Sequence, residues 1–142
     1  MPEGLYLGFD FGYKRIGVAV GHALTGRASP LERINAQSGI PDWLLFAKIL
    51  KTWNPKGCVV GLPICIDGTE QYTTIAAREF ANQIHQRFHL PVFLTDERLT
   101  TKEARAYLFA QGGYRKVKNA DVDSIAACII MEQWIRDLSL IL

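Results

Sequence analysis

The sequence predicts a mixed α/β domain: a five-stranded sheet, antiparallel through its first three strands and parallel thereafter, with helices on both faces. Two observations carry this. Leu5–Phe9 and Ile16–Val20 are short apolar runs on either side of a glycine-bearing turn, the pattern of a buried hairpin. Further on, the short apolar runs Cys58–Leu62 and Pro91–Thr95 each follow a stretch with helical periodicity, so each joins the sheet through a crossover.

The elements follow in order. Leu31–Ala36 reads as a third, edge strand, with Pro30 at its start. Gln37-Ser-Gly-Ile-Pro-Asp42 reads as the opening of a helix whose apolar face is Trp43, Phe46, Ala47, Leu50 and Trp53. Asn54-Pro55-Lys-Gly57 ends it. Cys58–Leu62 is a strand that leads into a loop from Pro63 to Glu70. A second helix spans about Tyr72 to Phe88, with Ala76, Phe80, Ile84 and Phe88 four apart. Pro91–Thr95 is a strand, and Asp96-Glu97-Arg98 follows it. Thr100-x-x-Glu103 has the form of a capping box and opens a third helix, which Gly112-Gly113 closes. Tyr114–Ala120 is a basic loop, and Ser124–Leu138 is a final helix, apolar on nearly all sides from Ile125 to Met131.

Composition narrows the function classes. A chain of 142 residues with 49% hydrophobic and 21% charged residues reads as one soluble globular domain, residues 1–142. No apolar run reaches membrane-spanning length, and Met-Pro-Glu-Gly opens without the pattern of a signal peptide. The net charge of +2 is too small to imply a nucleic-acid partner without local clustering. Cys58 and Cys128 lie in apolar runs and read as core filler, while Cys65 lies in a loop with no base placed beside it. His85 and His89 have the spacing of a metal pair on a helix, but their Gln and Arg neighbours favour a solvated face.

In sheets of this kind, ligands bind outside the carboxyl ends of the parallel strands. That rule selects Asp10, the Pro63–Glu70 loop and Asp96-Glu97; Asp123 falls at the mouth of the last helix. Carboxylates gathered from distant parts of a chain repel one another and stay ionised together when a cation joins them. All-oxygen donors favour Mg²⁺ or Mn²⁺, and such a site suits metal-assisted phosphoryl transfer. Each residue has a plainer reading as well. Asp10 organises the turn through its own backbone, Asp123 or Asp121 caps a helix, and Asp96 and Glu97 pair with Arg98.

The same edge carries cations. Lys14 and Arg15 adjoin Asp10, and from Arg98 to Lys118 there are six bases (Arg98, Lys102, Arg105, Arg115, Lys116, Lys118) and one acid, Glu103. Such a patch in a nearly neutral chain reads as a polyanion contact. Its competitor is a solvated helix face for Lys102 and Arg105. Thr69, at the start of the second helix, stands where backbone N–H groups bind phosphate.

Four segments in order resemble the successive motifs of the YqgF family: Asp10-Phe-Gly-Tyr-Lys-Arg-Ile-Gly-Val-Ala19, Val60-Gly-Leu-Pro…Asp67-Gly-Thr-Glu70, Asp96-Glu-Arg-Leu-Thr-Thr-Lys-Glu-Ala104 and Val122-Asp-Ser-Ile-Ala-Ala127. The likeness covers almost the whole chain. It implies an RNase H-like fold similar to RuvC-type Holliday-junction resolvases, with Asp10, Glu97 and Asp123 as catalytic metal-binding carboxylates. It also implies a cytoplasmic nuclease that trims the 5′ end of the 16S rRNA precursor. The partners it implies are structured RNA, a ribosomal subunit precursor or branched DNA, and the chain acts as a monomer or homodimer. The reading assigns strand contacts to Lys14, Arg15, Thr69, Arg98, Lys102, Arg115, Lys116 and Lys118. One position departs from the family pattern: a Lys often stands two residues before the last Asp, and here that residue is Asp121. Three rivals stay open: a resolvase acting on DNA junctions, a non-catalytic RNA- or ribosome-binding domain on the same scaffold, and, ranked last because such enzymes close two domains on a nucleotide, an actin-like ATPase.

Overall fold

The computed structural model describes residues 4–63, 72–97 and 119–141. Its sheet is built from β1 (Leu5–Asp10), β2 (Arg15–His22), β3 (Arg27–Gln37), β4 (Ile40–Pro41), β5 (Gly57–Pro63) and β6 (Val92–Glu97). The helices are α1 (Trp43–Trp53), α2 (Tyr72–Phe88) and α3 (Asn119–Ile141). The strand order is β4-β3-β2-β1-β5-β6. β1, β2 and β3 pair antiparallel, while β5 pairs parallel to both β1 and β6. The predicted architecture is therefore present, with six strands in place of five.

The added strand corrects the reading of Gln37–Asp42 as a helix opening. Ser38 and Gly39 have φ values of 52° and 83°, and Gln37 pairs with Ile40 and Ala36 with Pro41. Two consecutive residues at positive φ make a tight hairpin turn whose twist matches its strands. The helix starts only at Trp43, where the Asp42 carboxylate accepts hydrogen bonds from the Leu44 and Leu45 amides. β3 likewise runs from Arg27 to Gln37, longer than the predicted Leu31–Ala36, and holds Pro30 in its interior. Pro30 pairs with Ala19 on one side, and its missing N–H suits a strand near the sheet's edge. Asn54 ends α1 in the left-handed conformation, its amide bonded to the Leu50 carbonyl.

Burial divides the sheet into two faces. Leu7, Phe9, Ile16, Val18, Val60 and Leu62 pack with Phe46 of α1 and Ala77, Phe80 and Ile84 of α2. Tyr6, Ala19 and Val59 pack on the opposite face with Ala127, Cys128, Ile130, Met131, Trp134 and Ile135 of α3. The alternation along β1 is the period-two pattern of a strand covered on both sides. Cys58 and Cys128 are buried thiols outside any disulfide, as their apolar settings predicted. No described helix is long and apolar enough to cross a membrane.

Candidate nucleic-acid-cleavage site

Asp10 is the last residue of β1, hydrogen-bonded into the sheet between β2 and β5. Leu7 and Phe9 face α1 and α2, so the pleat turns Asp10 to the face of Tyr6, which α3 covers. The residue is half-buried, and the sheet fixes its backbone from both sides. The turn that follows is closed tightly: a Cβ on Gly12 would run into the Arg15 carbonyl oxygen, so this position requires glycine.

Glu97 is the last residue of β6. Asp10 pairs with Gly61 and Gly61 with Thr95, which places Glu97 two residues beyond Asp10 and two strands away. With strand spacings near 4.8 Å and a rise near 3.3 Å, the two Cα atoms are roughly 12 Å apart. Phe93 meets Tyr6 and Trp134 on the α3 face, so the pleat assigns position 97 to that face too.

Asp123 lies in the opening turns of α3, and three contacts orient that helix. Trp134 meets Tyr6 near the start of β1, with ring centroids 5.0 Å apart. Further along, a Cβ on Gly8 would lie 3.3 Å from the Ala127 carbonyl oxygen. Ser124, fully buried, accepts a hydrogen bond from the Val18 amide at 2.9 Å and donates one to the Leu31 carbonyl at 2.6 Å, and Val18 pairs with Phe9. The helix thus runs antiparallel to β1, and its N-terminal turns lie at the Asp10 end. Because α3 begins at Asn119, Asp123 is inside the helix, and the plainer reading of it as an N-cap is removed.

The backbone therefore brings Asp10, Glu97 and Asp123, which are 113 positions apart at the extremes, to one face at one end of the sheet. Their donor chemistry fits a divalent ion: three carboxylates, no nitrogen or sulfur ligand. Of the cationic residues, Lys14 and Arg15 are exposed at the turn beside Asp10, and the Lys14 carbonyl accepts from the Ala36 amide at 2.8 Å. Thr69, Arg98, Lys102, Arg115, Lys116 and Lys118 lie outside the described residues, as do Cys65, the Pro63–Glu70 loop beyond Pro63 and the predicted helix after Thr100. His85 and His89 do not form a metal pair. His85 Nδ1 bonds the Leu90 carbonyl at 2.9 Å, and His89 is past the helix end at φ 57°.

Sequence reasoning named Ser124 only as a helix start. The ladder between β2 and β3 slips between Ile16↔Ile34 and Val18↔Leu31, and the Ser124 hydroxyl fills the gap this leaves. It fastens the turn that carries Asp123 to the sheet. The one signal in the sequence is a polar residue opening an otherwise apolar helical stretch.

Comparison with known proteins supplies a family and a fold. Residues 4–137 match the family described as "RuvX: Holliday junction resolvase". A Legionella pneumophila (strain Paris) protein named "Putative pre-16S rRNA nuclease" is 65% identical over 136 residues, covering 96% of this chain and 98% of the relative. A Salmonella arizonae protein of the same name is 55% identical over 132 residues, covering 93% and 96%. Among solved structures, Thermus thermophilus RuvC in complex with Holliday junction substrate aligns with a TM-score of 0.60 at 13% identity, over 94% of each chain. The Fowlpox virus resolvase bound to Holliday junction DNA aligns at 0.59 and 13% identity, over 94% of this chain and 98% of that one. At such identity these two likenesses establish a shared fold.

Proposed function

This chain belongs to the RuvX family, and on that premise we propose that it is a divalent-metal-dependent nuclease trimming the 5′ end of the 16S rRNA precursor during ribosome biogenesis. The observation that carries the reading is the convergence of Asp10, Glu97 and Asp123 on the α3 face at the carboxyl end of β1. The RNA substrate follows the name shared by relatives up to 65% identical over nearly their full length. The whole chain acts as one nuclease domain, and the cytoplasm, where rRNA precursors are made, is its place of action.

Asp10, Glu97 and Asp123 would hold Mg²⁺ or Mn²⁺ through carboxylate oxygens. When bound, such an ion supplies Lewis acidity at a phosphoryl oxygen and lowers the pKa of water. The chain's own part is positional. β1 is paired on both sides, so Asp10 keeps its place without reorganising during the reaction. Ser124 ties the Asp123 turn to β2 and β3. Lys14 and Arg15, exposed on the closed turn, bind phosphates flanking the cleaved bond and set the strand's register. Thr69, Arg98, Lys102, Arg115, Lys116 and Lys118 extend that track along the strand. In this reading Asp121 stands among the ligands' neighbours and contributes negative charge beside Asp123.

A second reading, cleavage of four-way DNA junctions, is favoured by the description of the matched family. One assay separates the two. A 5′-extended 16S precursor fragment and a four-way DNA junction are each incubated with the protein in Mg²⁺, Mn²⁺ or EDTA, beside Asp10→Asn. Metal-dependent cleavage of the RNA, reduced at least about 100-fold in Asp10→Asn, is the expected result, since even residues behind the ligands cost 10–100-fold. Cleavage of the junction alone transfers the protein to DNA recombination. Binding of RNA without cleavage leaves a non-catalytic RNA-binding domain.

A further inference from the structure

The β2–β3 pair carries a polar platform on the same sheet face as Asp10. Ile16 pairs with Ile34, and both pack against α1 and α2, as Phe9 does. Arg15 and Asn35, the next pair along, therefore stand on the opposite face, which is that of Asp10. Ala36 packs against the α1–α2 core, so the pleat returns Gln37 to the face of Asn35. Arg15, Asn35 and Gln37 are all exposed. Asp10 pairs with Gly17, and Arg15 lies two residues past Gly17 towards the end of the sheet that carries Glu97. Asn35 is thus two strands across from Asp10 and two residues beyond it. With strand spacings near 4.8 Å and a rise near 3.3 Å, the Cα atoms are roughly 12 Å apart. Glu97 holds the equivalent place on the β6 side, so an acid flanks Asp10 on one side and an amide on the other.

The platform is bonded to the turn that carries the cations. The Ala36 amide donates to the Lys14 carbonyl at 2.8 Å and the Gly39 amide to the Tyr13 carbonyl at 2.9 Å. β4 pairs with Ala36 and Gln37 from the outer side. The backbone around Asn35 and Gln37 is therefore fixed before a strand arrives, and binding has only side-chain rotamers to order. Glu32 and Arg33 together oppose Gly17 at the ladder slip, so that neighbouring stretch carries one charge of each sign. Arg15 is left as the cation directly opposite the amides. A carboxamide donates and accepts hydrogen bonds at once. So does a ribose 2′-hydroxyl, the group that separates RNA from DNA. A phosphate only accepts, and a guanidinium meets it. Directly paired residues have Cβ atoms about 5 Å apart. Arg15 and Asn35 can thus meet one sugar–phosphate unit together, guanidinium on phosphate and amide on the 2′-hydroxyl.

We propose that Asn35 and Gln37 are specificity-determining residues, reading ribose 2′-hydroxyls on the strand that leaves the cleaved bond across β2 and β3. They make the chain prefer RNA to DNA of the same sequence. The proposal rests on the nuclease reading above for the position of the cleaved bond. The sugars they touch lie within about four nucleotides of that bond, given roughly 12 Å to cover and a helical spacing of about 3.4 Å per nucleotide.

The test uses the full chain in EDTA, so that binding is measured without cleavage. Synthetic 5′-extended 16S precursor fragments carry a single 2′-deoxy substitution at successive positions, beside an all-DNA strand of the same sequence. One or two neighbouring positions are expected to weaken binding about fivefold, the loss of a neutral hydrogen bond. Asn35→Ala should weaken the all-RNA fragment by a similar factor. It should leave unchanged the fragment already deoxy at the sensitive position and the all-DNA strand, and keep the wild-type salt slope, because no phosphate contact is lost. Gln37→Ala should act in the same way at a neighbouring nucleotide. Arg15→Ala is the contrast: it should weaken RNA and DNA alike and lower the slope. Equal losses on RNA and DNA from Asn35→Ala and Gln37→Ala, or the absence of any deoxy-sensitive position, overturn the proposal. The nuclease reading is judged separately by wild-type cleavage in Mg²⁺. Cleavage with no deoxy-sensitive position refutes only the 2′-hydroxyl contacts, and deoxy-sensitive binding without cleavage refutes only the nuclease.

Discussion

Replacing Ser124 by alanine removes one oxygen atom and two hydrogen bonds from the place where α3 meets the slipped ladder of β2 and β3. The Val18 amide and the Leu31 carbonyl lose their shared partner. Ser124 has no solvent exposure, and the space left by one hydroxyl is too small for a water with a full set of partners. A buried polar group left unsatisfied costs about 1–3 kcal/mol, so the pair predicts a loss of roughly 3 kcal/mol. For a domain of this size that lowers the melting temperature by about 10 °C. The assay is urea unfolding at constant m-value, paired with a thermal melt. Thr52→Ala is the comparator, because Thr52 also donates to a carbonyl, that of Lys48 at 2.9 Å, but on an exposed helix face; it should stay within about 0.5 kcal/mol. If Ser124→Ala unfolds with the same midpoint as Thr52→Ala, the claim that this hydroxyl completes the sheet is wrong. Asp123 precedes Ser124, so the variant should also need about 10–100-fold more Mg²⁺ for half-maximal cleavage, as when a ligand's support is removed.

Three other outcomes follow from the same structure. Lys14→Ala should weaken RNA binding across all sequences alike and reduce the slope of log affinity against log salt by about 0.7, the loss of one phosphate contact; an unchanged slope in a salt titration places Lys14 off the strand. Burial pushes the Cys58 thiol up to about 12. The folded protein therefore keeps that proton at pH values where the unfolded chain has released it, so this thiol's contribution to stability is full below about pH 9 and is lost progressively from there towards 12. Cys58→Val should flatten that part of the pH–stability curve, read from denaturation midpoints. Gly12→Ala brings a methyl into the Arg15 carbonyl and should impair RNA binding and cleavage together, because it opens the turn that presents Lys14 and Arg15; cleavage within twofold of wild type would show that the turn tolerates the change.

Much of the fold was legible because each local pattern agreed with its tertiary setting. The apolar runs around Asp10 form β1 and β2, and the four-residue spacing of Ala76, Phe80, Ile84 and Phe88 places α2 at Tyr72–Phe88. The Ser38–Gly39 hairpin was missed because its second strand has only two residues and carries no alternation to read. The opening of α3 was placed five residues late, since in Asn119–Asp123 polar residues alternate with Ala120 and Val122 and make no apolar stripe at helical spacing. For the site, the carboxylates stood out by type and by their place at strand ends. Ser124 did not, because a serine near a helix start is ordinary and its value lies in a ladder slip 106 residues away.

By itself the sequence determined the order of elements, the two-sided burial of β1 and the residues able to bind a cation, since all of these depend on side-chain chemistry and on periods of two and 3.6 within short windows. The tertiary structure decided which ends of those elements meet. The parallel registers of β1, β5 and β6 put Glu97 two residues beyond Asp10, and the antiparallel run of α3 across Gly8 and Val18 brings Asp123 to the same end. It also decided that Asn35 stands beside Arg15 on the face of Asp10, a relation set by pairing between strands. Register and helix direction arise from long-range hydrogen bonds and close packing, which local chemistry along the chain does not encode.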